Sequence, residues 1–182
     1  MVSLADIYIS RSDKADIDGG EGAPADIGPI NLGQNERRLS VQAYNHWLSL
    51  VSGEELPAIE DLHLDELGDM AARGVLFDLT LGAASPSIIF LGEKLTVECG
   101  KDIEIFSIRD VPSRSLLSQL AENCLEVAAT RAPAGFDVGF TDHAGHPILA
   151  RGMLLPFSSN GKIADFVFGV ISWKLAPAQA TP

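Results

Sequence analysis

Cysteine, basic charge and long apolar runs are what this 182-residue chain has least of. Its two cysteines, Cys99 and Cys124, each stand alone without a Cys-x-x-Cys partner, which excludes a disulfide framework and a zinc knuckle. A reducing compartment, the cytoplasm, is the expected setting. No 18 consecutive apolar residues occur, and Met1 to Ser10 has no basic start leading into a long apolar run, so neither membrane insertion nor export is expected. Only 13 Lys and Arg stand against 25 Asp and Glu. The resulting formal charge of -12 repels phosphate backbones, and no stretch gathers the basic residues into a patch, so nucleic acid is not an expected partner. Gly-x-Ser-x-Gly, a Walker-type loop, His-Glu-x-x-His and a dinucleotide fingerprint are also missing, and the chain is not expected to be an enzyme.

What the chain does have is 46% apolar residues, enough at this length for one core. Residues 1–34 hold five glycines, two prolines and six acidic side chains against Arg11 and Lys14, which predicts a disordered acidic tail. Its one apolar interruption, Leu4 to Ile9, is long enough to add as a strand to another chain. From Glu36 to Val51, Tyr44, Trp47, Leu48 and Val51 recur at the i, i+3, i+4, i+7 spacing of an amphipathic helix, closed by Ser52-Gly53. Glu60 to Ala72 shows a weaker helical pattern, with Gly74 placed as its stop.

The period then shortens. Val75 to Leu81 and Ser87 to Leu91 read as a hairpin around Gly82-Ala-Ala-Ser-Pro86. Glu93 to Glu98 reads as one helical turn, and Ile103 to Ile108 stays open between helix and strand. After Pro112-Ser113 comes the clearest helix, with Leu116, Leu117, Leu120, Cys124, Leu125 and Ala128 on one face and Pro133 beyond its end. Gly135 to Thr141, Pro147 to Phe157 and Ile163 to Lys174 follow as an antiparallel meander, joined by the Gly-containing turns Asp142–Gly145 and Ser158–Gly161. Phe166-Val-Phe-Gly-Val-Ile171 is apolar on both faces, so both faces of the sheet should be covered. The class is α+β: one five-stranded antiparallel sheet, an N-terminal amphipathic helix, and a long helix before the last three strands.

Particular residues sharpen this. Ala43-Tyr-Asn-His-Trp47, Phe90-Leu-Gly92, Cys99-Gly-Lys-Asp102 and above all Arg151 to Gly161 followed by Asp165 to Trp173 resemble a family of small alphaproteobacterial PAS domain proteins. The resemblance spans about Tyr44 to Lys174, and sets a PAS-like domain at 35–174 between the tail and a short C-terminal tail, 175–182. It implies a stand-alone sensory or interaction module in bacterial signal transduction, working through dimerisation or docking to a separate protein such as a kinase or response regulator. PAS domains often end in an Asp-Ile-Thr linker to an effector. Here the strand ends Ser172-Trp173-Lys174 with eight residues to follow, so no fused output domain is expected.

Cofactor chemistry finds little to work with. Flavin-adduct PAS domains use an Asn-Cys pair on a short mid-fold helix, whereas Asn123-Cys124 falls on the apolar face of the long helix and reads as core. Haem-binding members commonly use a His on that helix, and residues 113–131 contain none. Flavin adduct and haem are both disfavoured, and no cofactor is predicted. His143 and His146 sit in a turn without a third ligand, and His63 lies on a solvated acidic face, so no metal site is expected. An apolar cavity lined by Leu120, Cys124, Phe136, Val138, Phe140, Leu154, Phe168 and Val170 would suit a small apolar ligand, although the same side chains equally suit a packed core. Association is expected on Tyr44, Trp47, Leu48 and Val51, giving a homodimer. The alternative is an NTF2-like carrier or enzyme, for which Asp137 or Asp165 with His143 would supply the polar groups.

Overall fold

The computed structural model describes residues 8–9, 38–53, 55–100 and 107–177. The tail expected over 1–34 lies outside them apart from Tyr8 and Ile9, which form a two-residue strand, β1 (Tyr8–Ile9).

Helix α1 (Leu39–Leu50) follows the predicted period: Leu39, Ala43, Tyr44 and Trp47 are buried on one side. Leu48 projects to solvent. The segment expected as a second helix over Glu60 to Ala72 instead forms two single 3-10 turns, Ile59–Asp61 and Leu64–Glu66, and the four-residue α2 (Asp69–Ala72). Gly68 takes φ 53°, outside the right-handed helical region, and breaks the run. The buried Leu62 and Leu67 hold it against the sheet. Gly74, expected to stop that helix, opens the first long strand instead. A Cβ there would meet the Phe168 ring at 2.8 Å.

Strand β2 (Gly74–Asp78) is shorter than expected, because Asp78 Oδ1 accepts from the Thr80 backbone N–H at 2.8 Å and turns the chain. It pairs with β3 (Ser87–Leu91) as predicted. The single turn expected at Glu93 to Glu98 is a fuller helix, α3 (Glu93–Cys99). Residues 101–106 fall outside the described set, and Ile108–Asp110 is a 3-10 turn.

The long helix, α4 (Leu116–Thr130), begins in a capping box: Ser115 Oγ accepts from the Ser118 N–H at 3.0 Å, and Ser118 Oγ accepts from the Ser115 N–H at 3.2 Å. It ends at Arg131 in the left-handed region, with Pro133 two residues on. Strands β4 (Ala134–Thr141), β5 (Pro147–Phe157) and β6 (Phe166–Leu175) form the meander. The last begins three residues later than expected. The chain from Ser158 to Asp165 is folded into a loop, with Asn160 Oδ1 accepting from the Lys162 and Ile163 N–H groups.

The sheet order is β1-β4-β5-β6-β2-β3. Each neighbouring pair among its five long strands is antiparallel, and β1 adds a parallel pairing at Gly135 and Phe136. The chain thus has the α+β, PAS-like architecture of a five-stranded antiparallel sheet, with a two-residue sixth strand at one edge. β6 lies centrally between β5 and β2, which is why its sequence is apolar on both faces.

Two cores result. On one face Val75, Phe77, Leu154 and Ile171 pack with Leu117, Leu120 and Cys124 of α4. On the other, Leu76, Met153, Leu155, Phe157, Phe168 and Val170 pack under Tyr44 and Trp47 of α1.

Candidate functional site

The expected cavity divides between these two cores. Leu120, Cys124, Phe136 and Leu154 do converge behind α4, with Val138 and Phe140 packed against them. Phe168 and Val170 face the other way, under α1, which corrects their place in the lining. The reason is register. Leu154 stands opposite Gly169 and Leu155 opposite Phe168, so Leu154 shares its face with the odd-numbered residues of β6. Leu120, Cys124 and Leu154 have no exposed surface at all, and Phe136 fits its ring over Gly152. A slot of about 60 Å³ lies on this side where Gln119, Asn123 and Val127 of α4 meet Phe136 and Val138 at the sheet edge. That is roughly the room of two waters, well short of the several hundred Å³ of a ligand pocket.

The expected association surface is corrected in the same way. Tyr44 and Trp47 are 4% and 8% exposed and stack on one another with ring centroids 6.2 Å apart. Trp47 Nε1 also donates to the Pro156 carbonyl at 2.7 Å, and burial pushes the Tyr44 hydroxyl pKa up. Both rings belong to the chain's own core. Of the four residues, Leu48, 42% exposed, is the one that presents a large apolar surface, while Val51 is half-buried.

A wide groove of about 1080 Å³ opens where the first turn of α1 leaves the ends of β4, β5 and β6 uncovered. Arg38, Leu39 and Gln42 form one wall, and Asp69 and Arg73 a second. Asp137, Leu149, Arg151, Ser172, Trp173 and Lys174 supply the floor and far side. Its side chains are held in place by mutual pairing. Arg151 makes a two-pronged contact with Asp137, Nε to Oδ1 at 2.6 Å and Nη2 to Oδ2 at 3.1 Å. The Arg73 guanidinium lies 4.7 Å from the Trp173 ring centroid, within cation–π range, and its Nε reaches Asp69 Oδ2 at 3.1 Å. Lys94 hydrogen-bonds the other oxygen of Asp69 and, with Arg73, holds that carboxyl below the usual carboxylate range. Composition gave no sign of this clustering, since the basic residues are scattered along the sequence and meet only in the fold.

The polar residues singled out for catalysis do not converge. Asp137 is on the sheet face with Arg151. Asp165 closes the β5–β6 loop by accepting from the Ser159 N–H at 2.8 Å and from the Ser159 hydroxyl. His143 is exposed in the β4–β5 turn, whose Asp142 accepts the His146 and Ala144 N–H groups. Eleven residues of β5 separate the two loops, roughly 30 Å at strand rise. His63 is exposed beside Asp61, Asp65 and Glu66, as expected of a solvated acidic face. Among the described residues no group of three His, Cys, Asp or Glu is arranged to hold a metal ion.

Glu98 was not singled out from sequence. Half-buried at the end of α3, it accepts the Leu116 N–H at 3.2 Å and so caps the first turn of α4, while burial raises its pKa. Cys99 and Cys124 are free and buried, and burial pushes both thiols up to about 12. A thiol so placed is a poor nucleophile. No helix among the described residues is long and apolar enough to cross a membrane.

Comparison with family models and with curated proteins returns no match. Among solved structures, an uncharacterized protein from Mycobacterium tuberculosis aligns at 20% identity and a TM-score of 0.32 over 60% of this chain. The chain spans about a third of that protein's length, 35%.

Proposed function

We propose that this chain is a PAS-type interaction module of bacterial signal transduction, acting in the cytoplasm by contact with a second copy or with a separate regulator such as a kinase or response regulator. The observation that carries the reading is where open surface lies. The interior behind α4 is filled by buried side chains, whereas the α1 face of the sheet is left open at the ends of β4, β5 and β6. With the described α4 side packed, the wide concavity on the α1 face is the surface this reading assigns to a macromolecular partner. The two unpaired thiols favour a reducing compartment. Leu149, 41% exposed on β5, lines that groove, and Leu48, 42% exposed on α1, adds apolar surface outside it.

Deleting α1 is no test of association, because Tyr44 and Trp47 are part of the core and their loss would unfold the domain. Surface variants separate the two effects. Light scattering on size-fractionated protein should show concentration-dependent self-association that Leu48→Asp with Leu149→Asp abolishes, while the thermal midpoint stays within a few degrees of wild type. A wild-type protein monomeric at all concentrations would sink the self-association form, and one that also fails the peptide test below would sink the reading as a whole.

A further inference from the structure

We infer that the groove between α1 and the ends of β4, β5 and β6 is a docking site for an acidic peptide segment of a partner protein. This inference rests on the interaction-module reading and adds the partner's chemistry to it.

The argument is one of charge placement. The described residues carry nine Lys and Arg against fifteen Asp and Glu. Four of those nine, Arg38, Arg73, Arg151 and Lys174, line this groove, and only Asp69 and Asp137 of the fifteen do. In a chain of net charge -12, four of the nine described basic side chains thus line one wide groove. With Asp69 paired to Arg73 and Asp137 to Arg151, the described lining keeps an excess of positive charge, and such an excess is felt locally even when the molecule as a whole has the opposite sign. The first turn of α1 lines the same groove and holds no acidic residue, so the positive end of the helix dipole lies at its edge.

The two guanidiniums are also pre-oriented. Arg151 is fixed in a fork by Asp137, and Arg73 lies against Trp173. Less side-chain freedom is then lost when a carboxylate arrives. The occupant's size follows from shape: about 1080 Å³ of open groove suits a stretch of extended or helical chain rather than one small anion. Leu149 on its floor calls for an apolar residue among the acids. A second copy is the weaker occupant, because two chains of -12 repel as they approach.

The test uses two fluorescein-labelled octapeptides, Glu-Glu-Leu-Glu-Glu-Leu-Glu-Glu and its Lys counterpart, titrated against the full chain and read by anisotropy and by Trp fluorescence. Net charge alone favours the Lys peptide, whereas the groove favours the Glu peptide. The expected result is binding of the Glu peptide with a change in Trp fluorescence. Arg73→Glu with Lys174→Glu should weaken it about tenfold or more, while Arg114→Glu with Lys162→Glu, the same change of net charge elsewhere on the surface, should weaken it by less than about twofold. Lys174→Glu alone, at an exposed position, gives the weakening in a protein whose Arg73 contacts are intact. Preference for the Lys peptide, no binding of the Glu peptide, or equal weakening by the two double variants would overturn the inference. Self-association measured on the same samples keeps the two ideas apart, since a dimer that ignores the Glu peptide removes the acidic partner and leaves the interaction module standing.

Discussion

The indole N–H of Trp47 donates to the carbonyl of Pro156 at 2.7 Å, joining α1 to β5 across 109 residues of sequence. The partner strand β4 pairs with β5 only as far as Ala134 opposite Leu154, so among the described residues no strand pairs with β5 at Pro156 on that side. Proline, which has no N–H to offer a ladder, is tolerated there. Trp47 is 8% exposed and packs with Tyr44 and the Phe157 and Phe168 core. Trp47→Ala should therefore cost about 3–5 kcal/mol, the range for losing a buried aromatic. Trp47→Phe keeps most of the packing but strands the carbonyl, at about 1–3 kcal/mol. Urea titrations of the two variants would show whether the ring or the hydrogen bond matters more.

Gly152 and Phe136 make a second close pair, on the opposite face. They are direct partners in the β4–β5 register, and a Cβ on Gly152 would lie 2.3 Å from Phe136 Cζ. Gly152→Ala should destabilise by about 1–3 kcal/mol through overpacking. Phe136→Leu removes the obstructing ring atoms, so the double variant should be more stable than the sum of the single costs predicts. A thermal-melt cycle that proves additive would mean that the ring moves aside freely.

The fold was legible where one period dominates. α1 and α4 follow from apolar spacing, β2 and β3 from β-rich runs around a turn, β4 from the alternation of Phe136, Val138 and Phe140, and the rest of the meander from its Gly-containing turns. Two things were hidden. Because β6 is apolar on both faces, its alternation carries no sign, and nothing local says whether Phe168 faces α4 or α1. The offset of β5 against β6 decides that, and it depends on how Asn160 and Asp165 fold the connecting loop. The groove was hidden for another reason. Arg38, Arg73, Arg151 and Lys174 come from four separate elements of the fold, so no window of sequence contains them. The aromatic pair Tyr44 and Trp47 was visible, but an amphipathic helix looks the same whether its apolar face meets its own sheet or a partner.

The two thiols lead to a prediction about reactivity. Cys99 is 6% exposed and Cys124 fully buried, and burial pushes both up to about 12. At pH 8 a thiol of that kind is ionised to roughly one part in ten thousand, so an aromatic disulfide reagent should find almost nothing to react with in the folded protein. Two thiols per chain should react on addition of denaturant. Fast reaction of one thiol under native conditions would show that α3 or α4 opens locally, and Cys124→Ala against Cys99→Ala would say which.

The last prediction concerns acid. His46 on α1 has its Nε2 buried without a hydrogen-bond partner among the described residues. Burial lowers its pKa from 6.5, neighbouring His63 lowers it further, and Glu66 partly opposes them. The fold therefore binds the neutral ring better than the charged one, and between pH 6.5 and the lower folded value the unfolded chain holds more protons. Stability contributed by the neutral ring is fully present above pH 6.5 and is lost as pH falls through that window, by at most about 1.4 kcal/mol per pH unit for a single group. Glu98, whose pKa burial raises, works in the other direction from about pH 4.5 upward, so the His46 share must be read by difference. Denaturation at pH 7.5 and 5.5 should show wild type losing more stability than His46→Leu over that interval. Equal losses would place the acid sensitivity elsewhere, and His63→Gln, which removes the neighbouring imidazole, should then leave the profile unchanged as well.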